Sequence, residues 1–383
     1  MSSERKPVTQ LRIPGPTPIP DRVLQVSSAQ MINHRGTEFA ELLTEIVTNL
    51  QYVLHTANEV LLFPSSGTGG LEAAVVNLLS PGETTLVCVS GSFGKRWADI
   101  ADAYGAKAVR VKSEPGTPVT PAAVEEALQE NPSIRKVFVT HNETSTGVTS
   151  DVAGIAEVAK RHGALIAVDS VSGAGCIPLE VDGLDLDVVV TGSQKGWMSP
   201  PGLSMISVSK AAFAAAEEAK IPRWYFDFAR EKKYQDQAQT YITPPLSVMY
   251  SLREGLRMIR EEGVDETWAR HARIAGTIRA GAQEYGLELL AAEGCRSNTV
   301  TAVKSPADSP AALKEFTNYL KNEEGVEVAG GQDDLKGKIF RIGHLGWITD
   351  SDADVILAAV RAGLTHFDLG GSALTAEPAG SVA

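Results

Sequence analysis

The sequence predicts an α/β fold, with a mainly parallel, doubly wound large domain followed by a smaller α+β C-terminal domain. From residue 59 to residue 209, apolar strand-like segments alternate with helix-length segments, which is typical of βαβ units. The strand segments are almost continuously apolar, as expected for strands that helices cover on both faces. The chain has 383 residues, more than one hydrophobic core usually contains, so two domains are expected.

The elements of the large domain follow in a regular order after a helical pattern at about 37–54. The predicted strands are EVLLF (59–63), TTLVCVS (84–90), AKAVRVK (106–112), RKVFVT (135–140), ALIAVD (164–169), DLDVVVTG (185–192) and LSMISVS (203–209). The predicted helices are LEAAVVNLL (71–79), FGKRWADIADAYG (93–105), PAAVEEALQE (121–130) and DVAGIAEVAKRHG (151–163). Gly105 after one helix and Pro121 in the first turn of the next mark helix boundaries.

The pattern of predicted helices and strands changes after about residue 250. One long helix is predicted over 251–286, then strands at 298–304 and 338–343 around a helix at 311–325, and a last helix at 352–367. The segment IPGPTPIP (13–20) cannot be helical because prolines interrupt it. We therefore expect an extended arm over 1–20, a large domain over 21–250, a small domain over 251–369 and a disordered tail over 370–383.

The composition of the chain disfavours several classes of binding partner. The net charge of −12 disfavours nucleic acid or an anionic membrane as the main partner. Cys88, Cys176 and Cys295 are far apart, which suits a reducing compartment and gives no disulfide or metal framework. The N-terminus lacks the apolar core of a signal peptide, and no apolar run is long enough to span a membrane. We expect a cytoplasmic protein.

Two predicted strands end in residues that suit a pyridoxal phosphate site. ALIAVD ends at Asp169, and DLDVVVTG leads into a polar, Gly-rich loop that contains Gln194 and Lys195. The lysine would form the Schiff base, and the carboxylate would keep the pyridine nitrogen protonated so that the ring acts as an electron sink. Each residue has an ordinary alternative, since a loop lysine is usually solvated and an Asp at a strand end often caps a helix.

Three other strand ends carry polar or aromatic candidates. Ser66, Gly67 and Thr68 precede a helix, where amides and helix dipole favour a phosphate, although a simple capped turn fits equally well. Phe93 could pack on a flat cofactor or in the core. Thr144, in HNETSTGV, could donate to a cofactor oxygen or cap a turn. A metal site at His141 and Glu143 of the same loop lacks a third ligand.

Arg341 is a candidate in the small domain. It stands in the otherwise apolar segment KIFRIG, where a guanidinium could bind a substrate carboxylate in bidentate fashion. The alternative is an edge-strand arginine that reaches water. Parallel strands present their carboxyl ends at one edge of a sheet, so the candidates at successive strand ends are expected to form one site.

The motifs together resemble the class V aminotransferases of fold-type I pyridoxal phosphate enzymes, and most of all the alanine–glyoxylate and serine–glyoxylate (serine–pyruvate) aminotransferases. The motifs are PGPTPIP, HNETSTGV, AVDSVSG, GSQKGWMSPPGLSMISVS, TPPLSVMYSLREGL and FRIGHLG, which span almost the whole chain. The resemblance implies pyridoxal 5′-phosphate as cofactor, Lys195 as Schiff-base lysine and Asp169 as partner of the ring nitrogen. It assigns Thr144 to the ring hydroxyl and Phe93 to stacking, where some members have tryptophan. The implied phosphate and cofactor contacts are Ser66, Gly67, Thr68 and Gln194.

The resemblance also implies contacts to the substrate and between subunits. Arg341 matches the arginine that binds the substrate carboxylate, and Gly15 matches an N-terminal segment that helps to close the site. Thr243 matches a phosphate ligand that the neighbouring subunit supplies, and Tyr241 is matched to a nearby tyrosine of the family. These assignments imply a homodimer with shared active sites.

The implied activity is a ping-pong transamination between alanine or serine and glyoxylate or pyruvate. The sequence offers no evident second cation for an acidic side chain, so aspartate and glutamate are disfavoured as donors. A cysteine desulfurase or lyase of the same class is the nearest alternative, with Cys295 as nucleophile. A non-catalytic nucleotide-binding protein with the same sheet is a more distant one.

Overall fold

The structure is a computed structural model that describes residues 10–369. Its strands are β1 (Gln10–Arg12), β2 (Glu59–Phe63), β3 (Thr84–Val89), β4 (Lys107–Lys112), β5 (Lys136–Thr140), β6 (Asn142–Glu143), β7 (Val148–Thr149), β8 (Leu165–Asp169), β9 (Val188–Gly192), β10 (Ser204–Val208), β11 (Val300–Lys304), β12 (Val326–Gly330) and β13 (Ile339–Gly343). Its helices are α1 (Asp21–Ser27), α2 (Thr37–Leu54), α3 (Gly67–Leu78), α4 (Ser92–Ala103), α5 (Pro121–Glu130), α6 (Val152–Arg161), α7 (Lys210–Glu218), α8 (Phe228–Gln235), α9 (Leu246–Glu262), α10 (Val264–Glu284), α11 (Pro310–Asn322) and α12 (Asp350–His366).

A seven-stranded sheet forms the centre, in the order β2-β10-β9-β8-β5-β3-β4. The pairs from β9 to β4 are parallel, whereas β10 is antiparallel to both β2 and β9. The reason is the connection at 193–203, which is a loop without a crossover helix, so the chain returns in the opposite direction. The prediction of a mainly parallel α/β fold is confirmed.

Helices cover both faces of this sheet. Alternate residues of β2 show the division, because Val60 and Leu62 belong to one hydrophobic cluster and Leu61 and Phe63 to the other. The first cluster includes residues of α2, α5, α6 and α9, and the second includes residues of α3, α4, α7 and α8. The sheet is therefore doubly wound, which explains why its strands are apolar on both faces.

A second sheet joins the beginning of the described chain to its end. Its order is β1-β12-β13-β11, and β1 pairs with β12 in parallel. A third cluster, with Phe316 and Phe340 at its centre, packs between this sheet and helices α10, α11 and α12. β1 is therefore separated by β12 from the strand that carries Arg341, and the segment after β1 reaches the end of that strand, where Ile13 packs closely against Gly343.

Some details differ from the sequence prediction. The single helix expected over 251–286 is wrong: the chain forms α9 and α10, which are separated at Gly263 with φ +92°. A left-handed glycine cannot continue an α-helix, and the long apolar pattern concealed that break. Strand β12, helix α1 and the β6–β7 hairpin were not predicted, and the expected tail at 370–383 lies outside the described residues. Within residues 10–369, no helix is long and apolar enough to cross a membrane.

Replacing Gly255 with alanine tests the packing of α9 on the loop that carries Lys195. A Cβ atom at Gly255 would lie 2.3 Å from the carbonyl oxygen of Trp197, so the helix or the loop must move. We expect Gly255→Ala to lower the free energy of unfolding by about 1–3 kcal/mol. Gly276→Ala is the matched control, because no atom lies within 4 Å of its Cβ position in α10. The control should stabilise by about 0.5–1 kcal/mol, and equal effects in denaturant unfolding would contradict the packing.

Candidate active site

Three neighbouring parallel strands end at the same edge of the large sheet. β8 ends at Asp169, β9 ends at Gly192 just before Gln194 and Lys195, and β5 ends at Thr140. The loop after β9 is held by its own hydrogen bonds, which include Ser193 Oγ to the carbonyl oxygen of Pro200 at 2.7 Å. The carboxyl ends of the strands thus bring together residues that are far apart in sequence, as the sequence predicts.

The amine of Lys195 lies in a partly enclosed position and donates a hydrogen bond to the carbonyl oxygen of Pro14. Burial lowers the pKa of this amine to about 8, because the charged form loses hydration. The negative charge of Asp169 acts in the opposite direction, whereas the guanidinium groups of Arg341 and Arg96 lower the pKa further. The lowered pKa makes more of the unprotonated amine available near neutral pH than for an exposed lysine, and that form is the one that attacks a carbonyl carbon.

The carboxyl group of Asp169 is buried at the end of β8, with 3% of the residue exposed. Its Oδ1 accepts a hydrogen bond from the backbone N–H of Val171 at 2.9 Å. Burial raises the pKa of Asp169 to about 7, and the nearby Glu143 contributes in the same direction. A cationic group placed against this carboxyl would stabilise its ionised form.

The beginning of α3 forms a cradle beside the Lys195 loop. Ser66 is the exposed N-cap residue, and its side chain makes no capping hydrogen bond. Gly67 permits close packing, because a Cβ there would lie 2.7 Å from the Val171 side chain. The buried Oε1 of Gln194 has no hydrogen-bond partner among the described residues. A free helix N-terminus beside an unpaired amide suits an anionic ligand that also brings hydrogen-bond donors.

Arg341 reaches this site from the small sheet. β13 lies between β12 and β11, and Arg341 is 6% exposed, so the alternative of an edge-strand arginine in water is wrong. Its Nε donates to the carbonyl oxygen of Gly330 at 2.9 Å, and its Nη1 donates to the carbonyl oxygen of Thr144 at 3.1 Å. Nη1 also donates to Oε1 of Gln332 at 3.2 Å. Burial lowers the pKa of Arg341 to about 10, which still leaves it charged at neutral pH.

The loop after β5 carries a buried network of short polar side chains. The hydroxyl of Thr144 lies 2.6 Å from the hydroxyl of Ser172, which also accepts a hydrogen bond from Asn142 Nδ2 at 2.8 Å. The Ser172 hydroxyl itself donates to the carbonyl oxygen of Asn142 at 3.1 Å, so Thr144 is the donor in the first pair and its oxygen is left to accept a further hydrogen bond. The network fixes Thr144 beside the loop of Asp169.

Two glycines bring other parts of the chain against Lys195. A Cβ at Gly15, where φ is +120°, would lie 2.6 Å from Lys195 Nζ, and one at Gly346 would lie 3.0 Å from the Lys195 carbonyl oxygen. Consecutive residues of α10 hold Gly346 in place. Its N–H donates to His271 Nε2 at 3.1 Å, and its carbonyl oxygen accepts from Arg270 Nη1 at 3.2 Å. The N-terminal segment and the loop after β13 thus enclose the lysine.

Glu143 and Arg96 belong to the site but are missing from the set of site residues predicted from the sequence. The buried carboxylate of Glu143 accepts hydrogen bonds from the backbone N–H groups of Phe93 at 3.0 Å and Gly94 at 3.1 Å, and so caps α4. The Arg96 guanidinium lies 4.7 Å from the centre of the Phe93 ring. The signal for Arg96 was its spacing, because residues three apart share one face of a helix.

Tyr241 and Thr243 lie outside this cluster within the described chain. The Tyr241 hydroxyl donates to the carbonyl oxygen of Trp224 at 2.6 Å. Thr243 is exposed, and no hydrogen bond of its side chain to another described residue is present. A contact of either residue with a cofactor at Lys195 therefore requires a second subunit or a movement of the chain.

His141 and Cys295 have local partners that account for their positions. His141 Nδ1 lies 2.9 Å from the Ser170 hydroxyl, and burial lowers the pKa of His141 to about 4. Within residues 10–369, no group of three or more His, Cys, Asp or Glu side chains is placed to hold a metal ion. The Cys295 thiol points at the carbonyl oxygen of Ala292 at 3.3 Å, and burial raises its pKa.

Comparisons with known proteins identify the family of this chain. The family model for class V aminotransferases matches residues 12–344. The soluble hydrogenase 42 kDa subunit of Anabaena cylindrica is 40% identical, with 89% of each chain covered. The serine–glyoxylate aminotransferase of Methylorubrum extorquens is 37% identical over 90% of this chain and 89% of the relative. The L-aspartate–glyoxylate aminotransferase of Paracoccus denitrificans is also 37% identical, over 89% and 87%.

A comparison with a solved structure shows that the fold is also that of an aminotransferase. The crystal structure of alanine–glyoxylate aminotransferase from Nostoc sp. matches with a TM-score of 0.89 and 30% identity, covering 95% of this chain and 97% of that one. The chain therefore belongs to the class V aminotransferases, and its cofactor is pyridoxal 5′-phosphate. The unpaired Gln194 amide, the free N-terminus of α3 and the buried pair of Lys195 and Asp169 fit that cofactor.

Replacing Gly15 with alanine tests the contact between the N-terminal segment and Lys195. The added Cβ would meet Lys195 Nζ at 2.6 Å, so we expect the affinity of the apoprotein for pyridoxal phosphate to fall about tenfold. Gly82→Ala is the matched control, since its φ is also positive, at +80°, but no atom lies within 4 Å of its Cβ position. Absorbance titration should show an unchanged affinity for the control. Equal affinities of the two variants would refute the contact.

Proposed function

We propose that this enzyme transfers the amino group of alanine or serine to glyoxylate or pyruvate in a ping-pong reaction, through a Schiff base at Lys195. The observation that carries the proposal is the Lys195 amine, which burial gives a pKa of about 8, which donates to the carbonyl oxygen of Pro14, and which feels the charges of Asp169 and Arg341. An amine of this kind can add to a carbonyl carbon near neutral pH. The names of the serine–glyoxylate and alanine–glyoxylate relatives support the substrate class.

The residues divide the chemistry among them. When bound, the cofactor supplies an electron sink that makes the α-hydrogen of an attached amino acid acidic. Lys195 Nζ would take the proton from the α-carbon of the amino donor and deliver it to the cofactor carbon that keeps the amino group; in the second half-reaction it would move a proton in the opposite direction, to the α-carbon of the acceptor. Asp169 would accept the hydrogen bond of a protonated ring nitrogen, which keeps its carboxylate ionised despite burial.

Arg341 would hold the substrate carboxylate. Its Nε and Nη1 atoms are fixed by Gly330, Thr144 and Gln332, and Nη2 has no hydrogen-bond partner among the described residues. A carboxylate can therefore bind at the Nη2 side without displacing the bonds that orient the guanidinium. Since both substrates of the reaction are α-carboxylates, one arginine serves both half-reactions.

Small uncharged donors are expected to be the better substrates. A donor such as aspartate would need a second cation for its side-chain carboxylate, because burying an unpaired charge is costly. The relative from Paracoccus denitrificans is named for aspartate, so the choice of donor needs a direct comparison. The alternative of a cysteine desulfurase gains no support from Cys295, whose thiol pKa is raised by burial.

A homodimer with shared active sites is part of the proposal. Trp224 is 70% exposed and Tyr225 is 41% exposed, and Tyr225 contacts the carbonyl oxygen of Pro64 next to the α3 cradle. An exposed aromatic surface of this kind favours contact with another protein surface. In this proposal a second copy binds there and supplies Tyr241 and Thr243 to the phosphate of the first copy, as the family resemblance implies.

Lys195→Ala tests the catalytic role. We expect no steady transamination from alanine to glyoxylate in this variant, because the group that moves the α-proton is absent. The apoprotein should keep its thermal stability and circular dichroism, since the Lys195 side chain lies at a loop. For the wild type, kcat/KM should be higher with alanine or serine than with aspartate. Sustained turnover by the variant would refute the role of Lys195.

Mixed dimers test whether the site is shared. Thr243→Asp places a carboxylate toward the neighbouring phosphate and should weaken cofactor binding by repulsion. If Thr243 serves the other subunit, dimers that combine Thr243→Asp with Lys195→Ala contain one intact site and recover activity at limiting cofactor. If Thr243 acts within its own subunit, or if the protein is a monomer, the mixture stays as inactive as its parents.

A further inference from the structure

Arg96 is a half-buried arginine without a carboxylate partner in the described part of the chain. The basic side chains around it are paired. Lys95 Nζ lies 2.6 Å from Asp99, and Arg110 Nη2 lies 3.0 Å from Asp99 and 2.6 Å from Asp102. A charged group that is partly removed from water and left unpaired is costly, so the position of Arg96 suits an anion that is bound from outside the chain.

The contacts of Arg96 point to the cofactor cradle. Its Nη1 donates to the hydroxyl of Thr68 at 3.1 Å, and its guanidinium stacks at 4.7 Å from the centre of the Phe93 ring. Both contacts fix its direction. Burial has the largest effect on the pKa values of Asp169 and Lys195, and the charge of Arg96 makes a smaller contribution that lowers both, so Arg96 is near enough to act on the two groups.

We propose that Arg96 binds the phosphate of pyridoxal phosphate and is the fixed positive charge of that site. The inference rests on the cofactor-binding part of the proposed function. The other phosphate and cofactor contacts expected in the chain bring hydroxyl, amide and backbone groups but no cation: Ser66, Gly67, Thr68, Gln194 and Thr243. A phosphate that carries nearly two negative charges is bound more strongly when a guanidinium donates to it. Arg96 already contacts Thr68 at the start of α3, where the phosphate would lie.

The side-chain carboxylate of an acidic amino donor is the other anion that could bind Arg96. A cavity of about 290 Å³ lies between Arg96 and Gln332, and Gln332 contacts the arginine that would hold the substrate. The hydrogen bond to Thr68 favours the phosphate over the donor carboxylate, because it directs the guanidinium of Arg96 toward the start of α3. If the phosphate occupies Arg96, no unpaired cation is left there for aspartate, which agrees with the expected preference for alanine or serine.

Binding of two forms of the cofactor tests the inference. The apoproteins of the wild type, Arg96→Gln, Arg96→Lys and the control Lys95→Gln would each be titrated with pyridoxal phosphate and with pyridoxal, which lacks the phosphate. We expect Arg96→Gln to weaken binding of pyridoxal phosphate by about 10- to 100-fold and to leave binding of pyridoxal unchanged. Arg96→Lys should recover part of the affinity, and Lys95→Gln should bind both ligands as the wild type does.

Two results would overturn the inference. Equal weakening of pyridoxal phosphate and pyridoxal would mean that Arg96 supports the structure of the site and does not bind the phosphate. Unchanged binding of both, with a loss of kcat/KM for aspartate alone, would assign Arg96 to the donor side chain. Turnover of alanine with glyoxylate at saturating cofactor is measured separately, so a failure of the proposed reaction would be distinguished from a failure at Arg96.

Discussion

Five ionisable side chains converge where the parallel strands end: Lys195, Asp169, Glu143, Arg341 and Arg96. The rest of the site depends on how their charges are balanced. Lys195 and Asp169 are both removed from much of the solvent, and burial shifts the pKa of each toward its neutral form. Arg341 and Arg96 add positive charge on the same side. The ring nitrogen, the phosphate and the substrate carboxylate would meet Asp169, Arg96 and Arg341 respectively, and Lys195 is left for proton transfer. In the absence of ligands, these partly or fully buried side chains lack full charge partners among the described residues, and the cofactor and the substrate would supply them.

This balance needs accurate placement, which the backbone supplies. Gly15 and Gly346 approach Lys195 more closely than a side chain would permit. Arg270 and His271, adjacent in α10, hold the carbonyl oxygen and the N–H of Gly346. The lysine is therefore positioned by the N-terminal segment, the small sheet and the large sheet together. This explains why strand β1, at the start of the described chain, pairs with the C-terminal sheet.

The sequence predicted the parallel sheet and the strand ends because both depend on local patterns, such as the apolar run before Asp169. It did not predict Glu143 as the cap of α4 or Arg96 as an unpaired cation, since both roles appear only when separate loops come together. The break at Gly263 was missed because the apolar pattern continues across it, whereas its left-handed conformation is a property of the backbone. Tyr241 and Thr243 stay predictions, because their proposed partner is another copy of the chain.

In the proposed reaction, this class V aminotransferase cycles an amino group between a small amino acid and a 2-oxoacid. The most direct test is the absorbance spectrum of the purified holoenzyme during sequential additions of L-alanine and glyoxylate. We expect alanine to remove the visible band of the bound cofactor with release of one pyruvate per site, and glyoxylate to restore the band with release of glycine. A band that neither alanine nor serine changes, or one that glyoxylate and pyruvate fail to restore, would contradict the proposed transamination.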